Sequence, residues 1–142
     1  MEYRWQPLSP PTFGQSLLTV EEFASWATGN TGLTLDIEHL WKFTLHDASL
    51  AELLDNLRRF LARFGEKLAH VHLPGYWPRF REHRPMYCAR DMIFAVLTLL
   101  AEARFEGLVV SEVETEYQNS EELRMDVLLF DTWREQQRTS SR

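Results

Sequence analysis

The chain has 142 residues, 44% of them hydrophobic and 25% charged, with a formal net charge of -6. That is one domain of ordinary size, able to bury about 68% of its unfolded-state surface. The acidic balance excludes a nucleic-acid partner held by Lys and Arg on phosphates, and the single cysteine, Cys88, excludes an internal disulfide and points to a reducing compartment.

Pro7, Pro10 and Pro11 keep residues 1–18 irregular, except that 1–5 reads as the tip of a strand. Thr19 with Glu22 forms a capping box, and Val20, Phe23, Ala24 and Ala27 then share one face of a helix that Gly29 can end. Residues 33–37 (LTLDI) read as a buried strand, because Leu33, Leu35 and Ile37 fall on one face and Thr34, Asp36 and Glu38 on the other. The strand closes on Asp36 with His39 three residues on, either a metal or catalytic pair at a sheet rim or an Asp that caps the loop.

A loop carrying Trp41, Phe43 and His46 follows. Asp47 is then placed to cap a long helix with Leu50, Leu53, Leu54, Leu57, Leu61 and Phe64 at three- and four-residue spacing, closed by Gly65. Leu68 to Leu73 reads as a second strand, with His70 and His72 on the same side. Pro74 and Gly75 end it, and a polar loop rich in Arg and aromatic residues runs to about Cys88.

Residues 91–104 are apolar on nearly all sides, as in a helix packed against a sheet and other helices. The apolar run from Met92 to Ala101 within them is too short to cross a membrane, and no signal-peptide pattern opens the chain, so the expectation is a cytoplasmic protein with no membrane partner. After Gly107, Leu108 to Val113 reads as a third buried strand ending in Glu112 and Glu114. Asn119 and Glu122 open a last helix with Leu123, Val127, Phe130 and Trp133 on its apolar side. A tail from Gln136 to Arg142 has little to bury and is expected to be disordered. Alternating strands and helices imply an α/β fold with a parallel sheet of three strands and the tip of a fourth, in one domain over residues 1–135.

Each buried strand ends in a candidate ligand: Asp36, His72 and Glu112. Strand ends on one rim of a parallel sheet converge, so residues distant in sequence can meet around one ion. Asp, Glu and His together suit manganese, zinc, cobalt or magnesium, and the lack of thiolates excludes a structural zinc finger. Taken singly, each has a duller explanation as a hydrogen-bonded core His or a solvated rim charge.

The order Gly32-Leu-Thr-Leu-Asp36-Ile-Glu-His39, then Ala69-His-Val-His72, then His83-Arg-Pro85, then Gly107-Leu-Val-Val-Ser-Glu112 resembles the C-terminal half of the xylose isomerase-like TIM barrels. That family covers sugar isomerases, ketose epimerases, inosose dehydratases and apurinic endonucleases. The resemblance implies a partial (β/α)8 barrel whose usual length is about 250 residues. It also implies that Glu2, a strand-end Glu ahead of the Asp, joins Asp36, His72 and Glu112 as the fourth ligand of one divalent metal ion. In the isomerases and epimerases a small-molecule sugar sits on that metal while the two Glu residues exchange a proton through an enediolate, which gives Glu2 and Glu112 the acid/base roles. His39 then serves a substrate hydroxyl or a second metal, His83 the substrate, Arg79 or Arg81 a sugar oxygen or phosphate, and Trp41, Tyr76 and Trp77 either the rim packing or the wall of a sugar pocket. Tyr87, Cys88 and Ala89 replace the family's Gly-x-Gly after the loop Pro, and the acidic charge argues against DNA repair. A half barrel implies a homodimer, a partner chain that completes it, or a piece of a longer protein; a non-catalytic half-barrel or assembly subunit that retains the ligand residues is the alternative to an enzyme.

Overall fold

Alternate residues of the first strand, Leu33 and Leu35, are buried while Thr34 is exposed, the pattern that the period-two reading requires. The computed structural model describes residues 20–22, 24–43, 49–76 and 83–140. Its strands are β1 (Leu33–Asp36), β2 (Leu68–His72) and β3 (Leu108–Val110), paired in parallel in the order β1-β2-β3. The helices are α1 (Ile37–Phe43), α2 (Leu50–Phe64), α3 (Arg90–Glu102) and α4 (Ser120–Ser140). The protein is therefore α/β, with a three-stranded open parallel sheet and flanking helices among the described residues.

The expected strand at 33–37 stops one residue early. Asp36 Oδ1 accepts the His39 backbone N–H at 3.0 Å, which is the N-cap bond of a helix that starts at Ile37. Trp41 and Phe43, expected in a loop, belong to that helix; His46 lies outside the described residues.

The cap of α2 is Ser49 and not Asp47. Its hydroxyl accepts the Glu52 N–H at 3.3 Å and the Glu52 carboxylate accepts the Ser49 N–H at 2.7 Å, a reciprocal box; Asp47, the expected cap, lies outside the described residues. Leu53, Leu57, Phe60 and Phe64 are buried along one stripe of α2. Gly65 follows in a right-handed conformation (φ -57°), so the chain continues as a 3-10 turn over Gly65–Lys67 before β2. Residues 20–22 and 24–26 are helical, and Ala24 and Ala27 join the core; Phe23 and the expected cap Thr19 lie outside the described residues.

Helix α3 buries Met92, Ile93, Val96, Leu97, Leu99 and Leu100 on several sides, as its sequence predicts, because it packs against α2 and the sheet-side core. The third strand departs from expectation: it covers three residues, and all three are exposed. Among the described residues it is an edge strand, and a run of Leu-Val-Val carries no information on whether a neighbour lies beyond it. Gly107 leads into β3 with its Cα against the Ala69 carbonyl, and a side chain there would collide with that oxygen and with Phe105.

Asn119 opens α4 as expected, accepting the N–H groups of Glu121 and Glu122 at 3.1 and 3.0 Å. The apolar side expected to be packed is largely outward: Leu123 is 46%, Val127 59% and Phe130 37% exposed. The packed side is the neighbouring stripe of Asp126, Leu129 and Trp133, with the Trp133 indole N–H donating to Thr98 Oγ1 on α3 at 3.1 Å. Residues 136–140, expected in a disordered tail, continue this helix. No helix of the described residues is long and apolar enough to cross a membrane.

Candidate functional site

Parallel register sets the site. Asp36 is the Cα partner of His72, and His72 of Val110, so the last residues of all three strands lie on one rim. Glu112 follows two residues beyond, held near by the Leu73 N–H donating to the Val110 carbonyl at 2.9 Å. One ligand atom each from Asp36, His72 and Glu112 then lie within 4.8 Å of one another.

The contacts inside this group are close pairs of nitrogen and oxygen. His72 Nδ1 and Glu112 Oε2, both buried, lie 2.8 Å apart. Asp36 Oδ2, also buried, lies 2.8 Å from His39 Nδ1. Buried polar atoms are normally paired. Here the buried oxygens of Asp36 and Glu112 each face an imidazole nitrogen, and Asp36, His72 and Glu112 together offer two carboxylates and an imidazole, a donor set that fits a divalent cation.

Asp36 is a cap, as one of its two readings expects, but of a helix and not of a loop: Oδ1 caps α1, and Oδ2 faces His39 beside His72 and Glu112. Burial raises the Asp36 carboxyl, but the His39 ring and backbone N–H, with the charges of His39 and His83, outweigh it and hold the group below the usual carboxylate range. That keeps it an anion near neutrality.

His39 and His83 flank the group, their rings 6.3 Å apart and edge to face. His83 Nδ1 lies 4.0 Å from Glu112 Oε2, and His70 packs edge-on to His72 at 4.7 Å. Beside them a cleft of about 450 Å³ is lined by His83, Glu112, Glu114, Thr115, Glu116 and Gln118.

The structure thus brings together Asp36, His39, His72, His83 and Glu112. It does not bring Trp41: this residue is 1% exposed and packs edge-on against Tyr76 at 5.7 Å, so it takes the packing reading and offers no pocket wall. Glu2, Arg79, Arg81 and Trp77 lie outside the described residues.

Two residues at the site have no counterpart in the sequence reading. Glu38 is fully buried and accepts the His83 N–H at 2.9 Å; assigning it to the polar face of a strand hid it, because a helix starting at Ile37 turns it inward. Asp126, 4% exposed, accepts the Ser111 hydroxyl at 2.7 Å. Its signal was available, as a charge sitting between Glu122, Leu129 and Trp133 on one helical stripe. No family model, no curated protein and no solved structure matches the chain.

Proposed function

We propose that this chain is part of a (β/α)8 barrel of the xylose isomerase-like kind and acts as a divalent-metal-dependent sugar isomerase or epimerase. The observation that carries the reading is the convergence of Asp36, His72 and Glu112, one ligand atom of each lying within 4.8 Å of the others. A parallel sheet with its candidate ligands on one rim supports it.

Asp36, His72 and Glu112 would hold the cation, with Glu2 as the fourth ligand. When bound, it supplies a Lewis acid that polarises a sugar carbonyl. The chain's own residues do the rest. Glu112, 36% exposed at the mouth of the cleft, takes and returns a proton at the neighbouring carbon, with Glu2 as its counterpart. His39 and His83, each about a quarter exposed, donate to sugar hydroxyls. The carboxylates of Glu112, Glu114 and Glu116 along the cleft favour a neutral polyhydroxyl ligand over a phosphorylated one.

Titration with Mn²⁺ followed by calorimetry tests the metal reading. Wild type is expected to bind one ion and gain about 2.7 kcal/mol of stability at a hundredfold excess over Kd. Asp36→Ala should lose at least about 100-fold in affinity, and equal binding by wild type and variant would sink the proposal.

A second reading, a non-catalytic half-barrel or assembly subunit, is favoured by the uncovered β3 edge and the outward stripe of α4. In the enzyme reading a second copy or a partner chain covers that flank and completes the site. A monomeric, Mn²⁺-loaded protein that interconverts two ketoses rules the subunit reading out.

A further inference from the structure

The ladder that places Asp36 and His72 ends at Val110, and residues 111–114 have no regular structure, so the sheet alone does not place Glu112. Its neighbours are held instead. On one side the Ser111 hydroxyl donates to Asp126 Oδ2 at 2.7 Å, while Asp126 Oδ1 accepts the Tyr87 N–H at 3.2 Å. On the other side the Glu114 N–H donates to the His83 carbonyl at 2.9 Å.

His83 is itself clamped. Its backbone is left-handed, φ 48°, a conformation uncommon for a residue with a side chain and costly unless the surroundings impose it. Glu38 Oε2 accepts its N–H at 2.9 Å. The next residue, Arg84, pairs antiparallel with Gly75, whose Cα lies against the Pro85 carbonyl so closely that any side chain there would collide.

The buried polar or charged residues among those described are Glu38, Asn56 and Asp126. Burying a carboxylate costs several kcal/mol unless its oxygens are satisfied, and each buried carboxylate gives one oxygen to a bond that leads to the segment around Glu112, Asp126 Oδ2 to the Ser111 hydroxyl and Glu38 Oε2 to the His83 N–H. We propose that Glu38 and Asp126 are positioning residues for Glu112: Asp126 fixes Ser111, and Glu38, through the His83 backbone, fixes Glu114. The proposal rests on Glu112 being a cation ligand, and it assigns roles to two residues that touch neither the cation nor the substrate.

The test uses the whole chain with Mn²⁺ as probe, together with amide hydrogen exchange of the metal-free protein. Glu38→Ala and Asp126→Ala are each expected to weaken Mn²⁺ binding about 10- to 100-fold, and Glu38→Ala to speed exchange at the His83 and Glu114 amides about 10-fold. Glu38→Gln and Asp126→Asn keep an acceptor oxygen and should recover most of the affinity, whereas Asn56→Ala should lower stability and leave affinity unchanged. Should an alanine variant fail to fold, Ser111→Ala removes only the hydroxyl donor and is expected to cost about 10-fold in affinity. Folded variants that bind Mn²⁺ as wild type does overturn the proposal. A wild type that binds no Mn²⁺ overturns the cation reading instead, and unchanged exchange at His83 and Glu114 then overturns the clamp on its own terms.

Discussion

On the β1–β2 flank Leu33, Leu35, Leu68 and Val71 are all buried, whereas on the β3 flank Leu108, Val109 and Val110 are 70%, 37% and 39% exposed. The helices differ in the same way. Helix α2 turns Leu53, Leu57, Phe60 and Phe64 into the core, while α4 turns Leu123, Val127 and Phe130 outward and packs by Asp126, Leu129 and Trp133. Both flanks are a strand followed by an amphipathic helix. The difference shows that an apolar stripe tells which face wants cover, and only the neighbouring elements decide whether it gets any.

The largest expected effect lies in the covered flank. Leu57→Ala, at a fully buried position, should lower unfolding free energy by about 2–5 kcal/mol in urea. The matching change on the other flank, Val127→Ala, should stay within about 0.5 kcal/mol. A comparable loss at Val127 would mean that something covers the stripe in solution, and sedimentation would identify it. If a second copy covers this flank, wild type sediments as a dimer and the double variant Leu108→Lys, Val127→Lys as a monomer; a monomeric wild type overturns the homodimer.

The two helix caps give a smaller contrast. Ser49→Ala breaks a reciprocal box and should cost about 1 kcal/mol, read by thermal denaturation. Asn119→Ala removes an acceptor for two N–H groups but no return bond, and should cost about half as much. Equal losses would show that the return bond from Glu52 contributes nothing.

What could be read from the sequence follows the same division. The alternation of Leu33 and Leu35, the stripe of α2 and the apolar run of α3 are local patterns, and local periodicity survives into the structure. The rim positions of Asp36 and His72 were legible too, because parallel strands put their ends together whatever the loops do, while Glu112 lies two residues past the end of β3 and comes to them by its own backbone course. What escaped depends on competition or on neighbours. Asp36 caps α1, and that single bond ends the strand early and turns Glu38 inward. The exposure of β3 depends on what lies beside it, which Leu-Val-Val cannot encode.

The smallest expected effect probes the seam where α4 meets the rest of the chain. Tyr87 donates its hydroxyl to Glu122 at 2.5 Å, and that bond, with burial and the nearby Cys88, Glu122 and Asp126, pushes its pKa up to about 12. The folded state therefore holds the phenol proton more tightly than the unfolded chain, whose value is near 10.0. The stabilisation is complete below pH 10.0 and is lost as pH rises towards about 12. For a partly exposed group it amounts to about 0.5 kcal/mol after screening. The difference in urea stability between wild type and Tyr87→Phe should be constant from neutral pH to the ordinary tyrosine value, then shrink above it. A difference near zero at every pH would mean that Tyr87 holds α4 by its ring and by its N–H on Asp126 and not through its phenol proton.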